Sequence, residues 1–160
     1  MDTSSSKTGW AYFLDGKYKK SGVIDLDTKE YRKKYKDNSS KKLEDMCLAV
    51  WSLLQNYKPD IIVIEKLNVS RNMNAVRVLS KVIGTVYTYY VLNEDCFYFE
   101  IQPTQWRSQL DMQSGRKKRE ELKQLAVKYV KNTLGIDVTD DEADSICAGV
   151  GYIKMFTGGE

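Results

Sequence analysis

A buried-strand pattern that ends in a carboxylate is the feature that most constrains this chain. Residues 61–64 are four β-branched apolar residues without a polar break, and Glu65 follows them directly. Such a run is typical of a strand that is buried on both faces, inside a sheet. Because open α/β sheets place their sites at the carboxyl ends of strands, Glu65 is a candidate site residue. A half-solvated glutamate at a strand exit, with no function, would give the same pattern.

The absence of histidine excludes several classes of hydrolase. Ser-His-Asp and Cys-His catalysis need an imidazole base, and His-ligated zinc needs imidazole ligands. Any hydrolysis by this chain must therefore use carboxylates and a water molecule that a metal ion activates.

The composition is that of an ordinary globular domain. With 160 residues, of which 42% are hydrophobic and 29% charged, the chain is long enough to bury a core without disulfides. Cys47, Cys96 and Cys147 show no metal-binding spacing and indicate a reduced, cytoplasmic environment. No apolar run is long enough to span a membrane, no signal peptide is visible, and we expect no membrane partner. The net charge of +3 is mild, so contacts to nucleic acid must be sought in local clusters.

The order of the predicted elements favours a three-layer α/β domain. Strand patterns cover residues 9–14, 20–26, 61–65 and 97–101, with a hairpin signal at Asp15-Gly16. Helical patterns begin at Ser39 or Ser40, cover 75–92 and 104–110, and follow residues 119 and 139.

The sequence patterns of residues 27–38 and 75–92 are less specific than the others. The charged run 27–38 has little to bury, and we expect a solvated connection there. The apolar residues of 75–92 cover more than one face of a helix. This suits a fully buried helix or one that serves both the core and a partner subunit.

Further acidic residues open the last predicted helix. Thr139 and Glu142 have the spacing of a capping box. Asp141 and Asp144, three residues apart, lie on one helical face. Two like charges on a face that turns toward a core repel each other unless a cation bridges them. A favourable interaction with the helix dipole is the structural alternative.

The order of these motifs resembles the RuvC family of Holliday junction resolvases, within the ribonuclease H-like fold, and most of all its bacteriophage members. The resemblance includes Asp2, which stands before a small polar turn. It covers residues 2–4, 8–11, 61–65, 102–107 and 141–145. It implies a three-layer α/β/α fold with a mixed sheet and a single nuclease domain over residues 1–160.

The resemblance also implies a catalytic site. Asp2, Glu65, Asp141 and Asp144 would be the four acidic residues that hold two Mg²⁺ or Mn²⁺ ions, since hard cations prefer carboxylate oxygen. Two ions roughly 3.5 to 4 Å apart would clamp the scissile phosphate. The family acts as a homodimer that cuts two strands of a four-way junction symmetrically, leaving 5′-phosphate and 3′-hydroxyl ends. No small-molecule cofactor is implied.

Polar and basic side chains are candidates for DNA contacts, and phosphate contacts would make binding weaken with salt. The candidates are Asn68, Arg71, Asn72, Asn74, Arg77, Arg107, Arg116, Lys117, Lys118 and Arg119. The cluster 116–119 is equally well explained as a solvated helix start, and the adjacent Glu120 and Glu121 partly cancel its field.

The chain departs from the family pattern in two places. Cellular members have an aromatic residue shortly after the strand-end glutamate, whereas residues 66–69 contain none. We therefore expect structure-selective rather than sequence-selective cutting. Family members also carry an apolar strand before the first aspartate, where this sequence has Met1 alone. We expect that a few natural N-terminal residues are missing, because a central strand that ends at residue 2 would leave the sheet unfilled.

Three alternatives stay open at this point. A different ribonuclease H-like nuclease, acting on flaps, replication forks or RNA–DNA hybrids, would use the same acidic residues. A catalytically silent junction-binding module would need only the basic ones. The actin-like or sugar-kinase ATP-binding fold also begins with Asp and a Ser/Thr/Gly turn. It needs a second Gly-rich turn and a second domain, for which this chain is too short.

Overall fold

The computed structural model describes residues 1–4, 6–36, 38–66, 73–112 and 118–157. Within these ranges the chain is a mixed α/β protein, as the sequence predicted. The elements are β1 (Lys7–Leu14), β2 (Lys17–Asp25), α1 (Lys29–Tyr35), α2 (Ser39–Tyr57), β3 (Ile61–Glu65), α3 (Met73–Leu92), β4 (Phe97–Ile101), α4 (Pro103–Gln109), α5 (Arg119–Leu134) and α6 (Asp140–Thr157).

The four strands form two pairs. β1 and β2 are an antiparallel hairpin, and β3 and β4 are parallel and in register from Ile61 and Phe97 onward. The hairpin turns at Asp15 and Gly16, whose φ angles of 52° and 71° are both positive. Two successive positive φ angles are the requirement of a tight hairpin turn, which explains why the Asp-Gly signal predicted it.

The first two residues of the chain join the two pairs. The Met1 ammonium donates to the Val63 carbonyl at 2.7 Å, and the Glu65 N–H donates to the Met1 carbonyl at 3.0 Å. On the other side, Asp2 and Gly9 exchange two backbone hydrogen bonds of 3.0 and 2.9 Å. Met1 and Asp2 therefore occupy a strand position between β1 and β3.

The helices cover both faces of this sheet. Side chains of α2 and α3 pack with Ile62 and Ile64 in one core, whereas Val63 packs with α5 and α6 in the second. Alternate residues of a strand point to opposite faces, so β3 is packed on both sides, fully at Ile62 and Ile64 and partly at Val63. The unbroken apolar sequence predicted burial on both faces, but Ile61 at the start of the strand is 46% exposed.

The prediction for the charged run 27–38 was wrong, because α1 forms within it. Thr28 caps this helix by accepting from the N–H of Tyr31, and Tyr31 and Tyr35 stack one turn apart with ring centroids 5.6 Å apart. Tyr35 is buried, and its hydroxyl donates to Asp45 at 2.7 Å. Two aromatic residues four positions apart thus give a mostly charged segment an apolar face.

The start of α2 also differs slightly from its prediction. The cap is Asn38, whose side chain accepts from the N–H of Lys41 at 3.0 Å, rather than Ser39 or Ser40. Asparagine is as good a cap as serine, so the sequence alone did not distinguish the three positions.

The burial of α3 decides between the two predictions for residues 75–92, a fully buried helix and a helix that also serves a partner subunit. Val82, Val86 and Tyr89 are buried, whereas Val91 and Leu92 are more than half exposed. The option of a fully buried helix is therefore wrong. Across the described ranges, no helix combines the length and apolarity that crossing a membrane requires, and all three cysteines are free thiols.

Candidate active site

The backbone of Asp2 is hydrogen-bonded to Gly9, and Gly9 also contacts the start of α6. Gly9, which pairs with Asp2, lies against the carbonyl oxygen of Asp141, and a Cβ at residue 9 would overlap that oxygen. A residue without a side chain is needed for so close an approach of two backbones. Gly9 therefore brings the start of α6 next to the strand position of Asp2.

Glu65 is the last residue of β3, and its N–H donates to the carbonyl of Met1. It therefore lies beside Asp2 on the neighbouring strand position. Both side chains are half-buried. The carboxyl ends of the two strands thus carry the first two carboxylates.

The first turns of α6 supply the other two carboxylates. Asp144 is 6% exposed, and Asp141 is more open. The predicted cap is present in part, because Thr139 accepts from the N–H of Glu142 at 3.4 Å. The Glu142 carboxylate accepts from the Ser21 hydroxyl at 2.6 Å, which ties α6 to β2.

Asp2, Glu65 and Asp144 all have raised pKa values, as expected of acidic side chains that are partly buried near other negative charges. Burial, followed by the negative charges of Glu65, Asp144 and Asp141, raises the pKa of Asp2 to about 7. Burial, followed by the charge of Glu65, raises the pKa of Asp144 to about 6. The pKa of Glu65 is also raised, mainly by burial. The structure thus brings together the four acidic residues that the sequence singled out.

An arginine and a tryptophan from α4 complete this cluster. The Arg107 guanidinium lies over the Trp106 ring, 4.5 Å from its centroid, and its charge partly offsets the rise that burial causes in the pKa of Glu65 and Asp144. Trp106 is fully buried, and its indole nitrogen lies near enough to Glu65 to favour the ionised carboxylate. Neither this nitrogen nor Arg107 Nε has a hydrogen-bond partner among the described residues. Arg107 was predicted as a DNA contact, and the structure places it beside the carboxylates.

Lys123 of α5 is a site residue that sequence reasoning missed. Its Nζ lies 2.5 Å from Asp140 Oδ2 and 3.5 Å from Asp141 Oδ1. The hydrogen bond from Lys123 lowers the pKa of Asp140. In the sequence Lys123 is one of several polar positions of an amphipathic helix, and no local signal distinguishes it.

The acidic residues fit a hard divalent cation by their chemistry. Carboxylate oxygens are the ligands that Mg²⁺ and Mn²⁺ prefer, and the buried Asp144 Oδ1 has no hydrogen-bond partner in the described part of the chain. However, no three acidic or cysteine side chains of the described residues are already arranged as ligands of one ion. Ion binding would therefore require these side chains to close around the ion.

Four of the predicted DNA contacts lie at the starts of α3 and α5. Lys118 caps α5, Arg119 begins it, and both are exposed. The positive charge of Arg119 contributes to lowering the pKa of Glu65. Asn74 and Arg77 are exposed on the first turns of α3. The remaining candidates lie outside the described residues: Asn68, Arg71, Asn72, Arg116 and Lys117.

No protein-family model matches the sequence, and no curated protein matches it. Solved structures that match this chain include two of RuvC and one of a mitochondrial resolvase. Thermus thermophilus RuvC in complex with a Holliday junction substrate has a TM-score of 0.70 and 12% identity, over 98% of this chain and 93% of that one. Another structure of T. thermophilus RuvC has a TM-score of 0.64 and 14% identity, over the same shares. The yeast mitochondrial Holliday junction resolvase Ydc2 has a TM-score of 0.44 and 14% identity, over 71% and 56%. The two RuvC likenesses show that this chain has the ribonuclease H-like fold of RuvC, as the order of its motifs predicted.

Proposed function

We propose that this protein is a metal-dependent, structure-selective DNA endonuclease that resolves Holliday junctions by paired symmetric nicks, like the bacteriophage members of the RuvC family. One observation carries the proposal: the charges of Glu65, Asp141 and Asp144 all raise the pKa of Asp2. In a chain without histidine, converging carboxylates support hydrolysis assisted by metal ions. A solved structure of the same fold is a RuvC bound to a Holliday junction substrate, which supports branched DNA as the substrate.

The four carboxylates would hold two Mg²⁺ or Mn²⁺ ions. Bound ions of this kind activate the attacking water and stabilise the leaving 3′ oxygen, so the products would carry 5′-phosphate and 3′-hydroxyl ends. Asp144 Oδ1 is buried and accepts no hydrogen bond from the described residues, so it would be free to bind an ion.

The neighbouring side chains prepare the site for a phosphodiester. Arg107 places a positive charge beside Glu65 and Asp144, which favours their ionised, metal-binding forms. The Arg107 guanidinium lies over the Trp106 ring, 4.5 Å from its centroid, and this cation–π contact helps to position it. Lys123 neutralises Asp140, so that the first turn of α6 carries less negative charge toward an incoming phosphate.

Basic residues near the site support binding of the DNA backbone. Lys118 and Arg119 are exposed at the start of α5, and the Arg119 charge reaches Glu65. Arg77 is exposed on α3. Contacts of this kind position a duplex without reading its sequence, which agrees with structure-selective cutting.

Exposed apolar residues on α3 support a homodimer. Tyr87, Val91 and Leu92 are half or more exposed, and they belong to one helix. Exposed apolar patches mark interaction surfaces. A junction has near two-fold symmetry, so two active sites related by a two-fold axis would cut it symmetrically.

One observation favours a second candidate function. Because no three acidic side chains of the described residues are arranged as ligands of one ion, a junction-binding module without catalysis is consistent with the same fold. Such a module would bind four-way junctions with the basic residues and leave them intact.

Nicking of a synthetic four-way junction tests the proposal. We expect symmetric nicks with Mg²⁺ or Mn²⁺, none after chelation, and weaker cleavage of flap, fork and RNA–DNA hybrid substrates in the same panel. Tight binding of the junction without nicking under any divalent ion would favour the silent module. Preferred cleavage of hybrids or flaps would replace the junction with another substrate of the same active site.

A further inference from the structure

Three buried side-chain polar atoms have no hydrogen-bond partner in the described part of the chain. Two are donors from α4, the Trp106 indole nitrogen and Arg107 Nε, and the third is the acceptor Asp144 Oδ1. Trp106 is fully buried, so solvent does not supply the missing partner of its N–H. A buried tryptophan N–H usually has an acceptor, because an unsatisfied one has lost the hydrogen bond that water gave it. The indole of Trp106 therefore indicates an acceptor that is not yet aligned with it.

The backbone places Trp106 beside the end of β3. Glu65 pairs with Ile101 at the end of β4, and the Lys66 N–H donates to the Ile101 carbonyl at 2.9 Å. α4 begins two residues after Ile101, and the backbone N–H of Trp106 donates to the Gln102 carbonyl at 3.3 Å. Trp106 thus lies one turn into the helix that follows the strand next to Glu65.

A close contact with α6 holds Trp106 on its other side. A Cβ at Gly151 would lie 2.5 Å from Trp106 Cβ and 2.8 Å from its Cα, so a residue without a side chain is needed there. Gly151 comes about two helical turns after Asp144 and lies on the same side of α6. Trp106 is therefore held between the end of β3 and the helix that carries Asp144.

The Glu65 carboxylate is the acceptor that the indole approaches. Burial raises the pKa of Glu65, and the Trp106 side chain, as a hydrogen-bond donor, opposes that rise ahead of the charge of Arg107. The two groups thus lie close together without the alignment of a full hydrogen bond. An indole nitrogen only donates, and an ionised carboxylate only accepts, so the two are complementary.

We propose that Trp106 is a positioning residue for Glu65, and that its indole N–H donates to the Glu65 carboxylate when the acidic side chains close around a divalent ion. One Glu65 oxygen would then bind the ion while the other accepts from Trp106. Hydrogen bonds of this kind orient carboxylates that bind metal ions. Because the indole is neutral, it orients Glu65 without cancelling the negative charge that attracts the ion. The inference rests on the metal site of the proposed function and adds a residue that does not itself touch the ion.

Removal of the indole N–H tests the inference. Trp106→Phe keeps a ring beneath the Arg107 guanidinium and loses the donor. Binding of Mn²⁺ alone, without DNA, is followed by the electron paramagnetic resonance signal of the free ion. We expect the dissociation constant to rise by about ten-fold or more. Trp51→Phe is the matched control, since Trp51 packs against Tyr89 in the core under α2 and α3, and it should leave the affinity for Mn²⁺ unchanged.

A shape-matched replacement separates the hydrogen bond from packing. 3-Benzothienylalanine at residue 106 has a sulfur atom in place of the N–H, in a ring system of the same shape. It should keep the thermal unfolding midpoint of the unchanged protein and weaken Mn²⁺ binding as much as Trp106→Phe does. Loss of affinity in the phenylalanine variant alone would assign the effect to packing and would overturn the inference.

The indole proton itself gives a second readout. The chain has three tryptophans, and their indole N–H groups give separate signals in a ¹⁵N–¹H spectrum, of which Trp106→Phe removes one. Saturating Mg²⁺ should move the Trp106 signal downfield and slow the exchange of its proton with solvent, while the Trp51 signal stays in place. An unmoved Trp106 signal would overturn the inference and leave the metal site standing. Absence of Mn²⁺ binding by the unchanged protein would overturn both.

Discussion

The carbonyl oxygen of Asp141 lies against Gly9 so closely that a Cβ at residue 9 would overlap it. Gly9 also exchanges two backbone hydrogen bonds with Asp2. One residue without a side chain thus sets the distance between the strand position that carries Asp2 and the helix that carries Asp141 and Asp144. The geometry of the carboxylate cluster depends on this contact.

Replacing Gly9 with alanine should therefore damage both stability and activity. The added methyl group forces α6 away from β1, and we expect a loss of about 1–3 kcal/mol in the free energy of unfolding, together with reduced nicking. Urea unfolding and the junction assay measure the two effects.

Gly84→Ala is the matched control, since nothing lies within 4 Å of a Cβ at that exposed helical position. It should leave nicking unchanged and raise stability by about 0.5–1 kcal/mol. Similar losses in both variants would contradict this role of Gly9.

Asp144→Asn should abolish nicking while junction binding persists. The substitution removes a charge from a buried side chain whose Oδ1 has no partner among the described residues. Loss of even an indirect metal contact costs about 10- to 100-fold in activity or affinity, so we expect at least about a 100-fold loss in nicking rate. Asp137→Asn is the control, since the Asp137 side chain is 87% exposed and pairs with Lys131 on the surface. Full nicking activity of the Asp144→Asn variant would show that the Asp144 carboxylate has no role in catalysis.

Stability should depend on pH in a direction set by the carboxylates. The folded-state pKa values of about 7 for Asp2 and about 6 for Asp144 lie above the ordinary aspartate value of 3.8. The stability linked to each group is therefore fully present below about pH 4 and is lost as pH rises through 6 and 7. Without divalent ions, Asp2 and Asp144 should lower the thermal midpoint between pH 5 and pH 8, against an opposite contribution above pH 6 from the Met1 ammonium, whose pKa burial lowers to about 6. Added Mg²⁺ should raise it more at pH 8 than at pH 5, because the ion binds the ionised carboxylates.

Two comparisons make the pH experiment specific. The pKa values of Asp45 and Asp140 are lowered by hydrogen bonds from lysines, so their stabilising contributions are lost only in acid, below the range tested. Asp2→Asn should flatten the fall between pH 5 and pH 8 and weaken the effect of Mg²⁺. An unchanged pH dependence in this variant would show that other groups cause it.

Arg107→Gln should weaken the response to metal rather than the binding of DNA. Without the guanidinium charge, the pKa values of Glu65 and Asp144 rise, so protons compete better with the ion. We expect the Mg²⁺ concentration for half-maximal nicking to rise by up to about ten-fold. Arg107→Lys should restore part of this response, because it keeps the charge but replaces the guanidinium that lies over the Trp106 ring.

The control for Arg107 is Arg77→Gln, a change at an exposed position of α3. It should lower affinity for all DNA substrates and reduce the slope of log affinity against log salt by about one. The metal dependence of nicking should stay the same. If Arg77→Gln changed the metal dependence of nicking and Arg107→Gln changed only the affinity for DNA, the roles proposed for the two arginines would be contradicted.

Local sequence patterns predicted much of the framework. β3 followed from its unbroken β-branched run, the β1–β2 turn from Asp-Gly, and the beginning of α6 from the Thr139 region. These features depend on residues within a few positions of each other, whose periodicity and turn preferences are readable without a fold. The α1 helix was missed because its apolar face consists of two tyrosines inside a charged run.

What the sequence determined by itself was therefore the type and order of the elements other than α1, and which acidic residues end a buried strand or begin a helix. The tertiary structure decided which side chains meet. The Ser21–Glu142 hydrogen bond joins residues 121 positions apart, and Lys123 reaches Asp141 from another helix. Periodicity along a chain describes which face of an element is buried, but not which other element covers it. The positions of Arg107 and Lys123 beside the carboxylates arise from that packing.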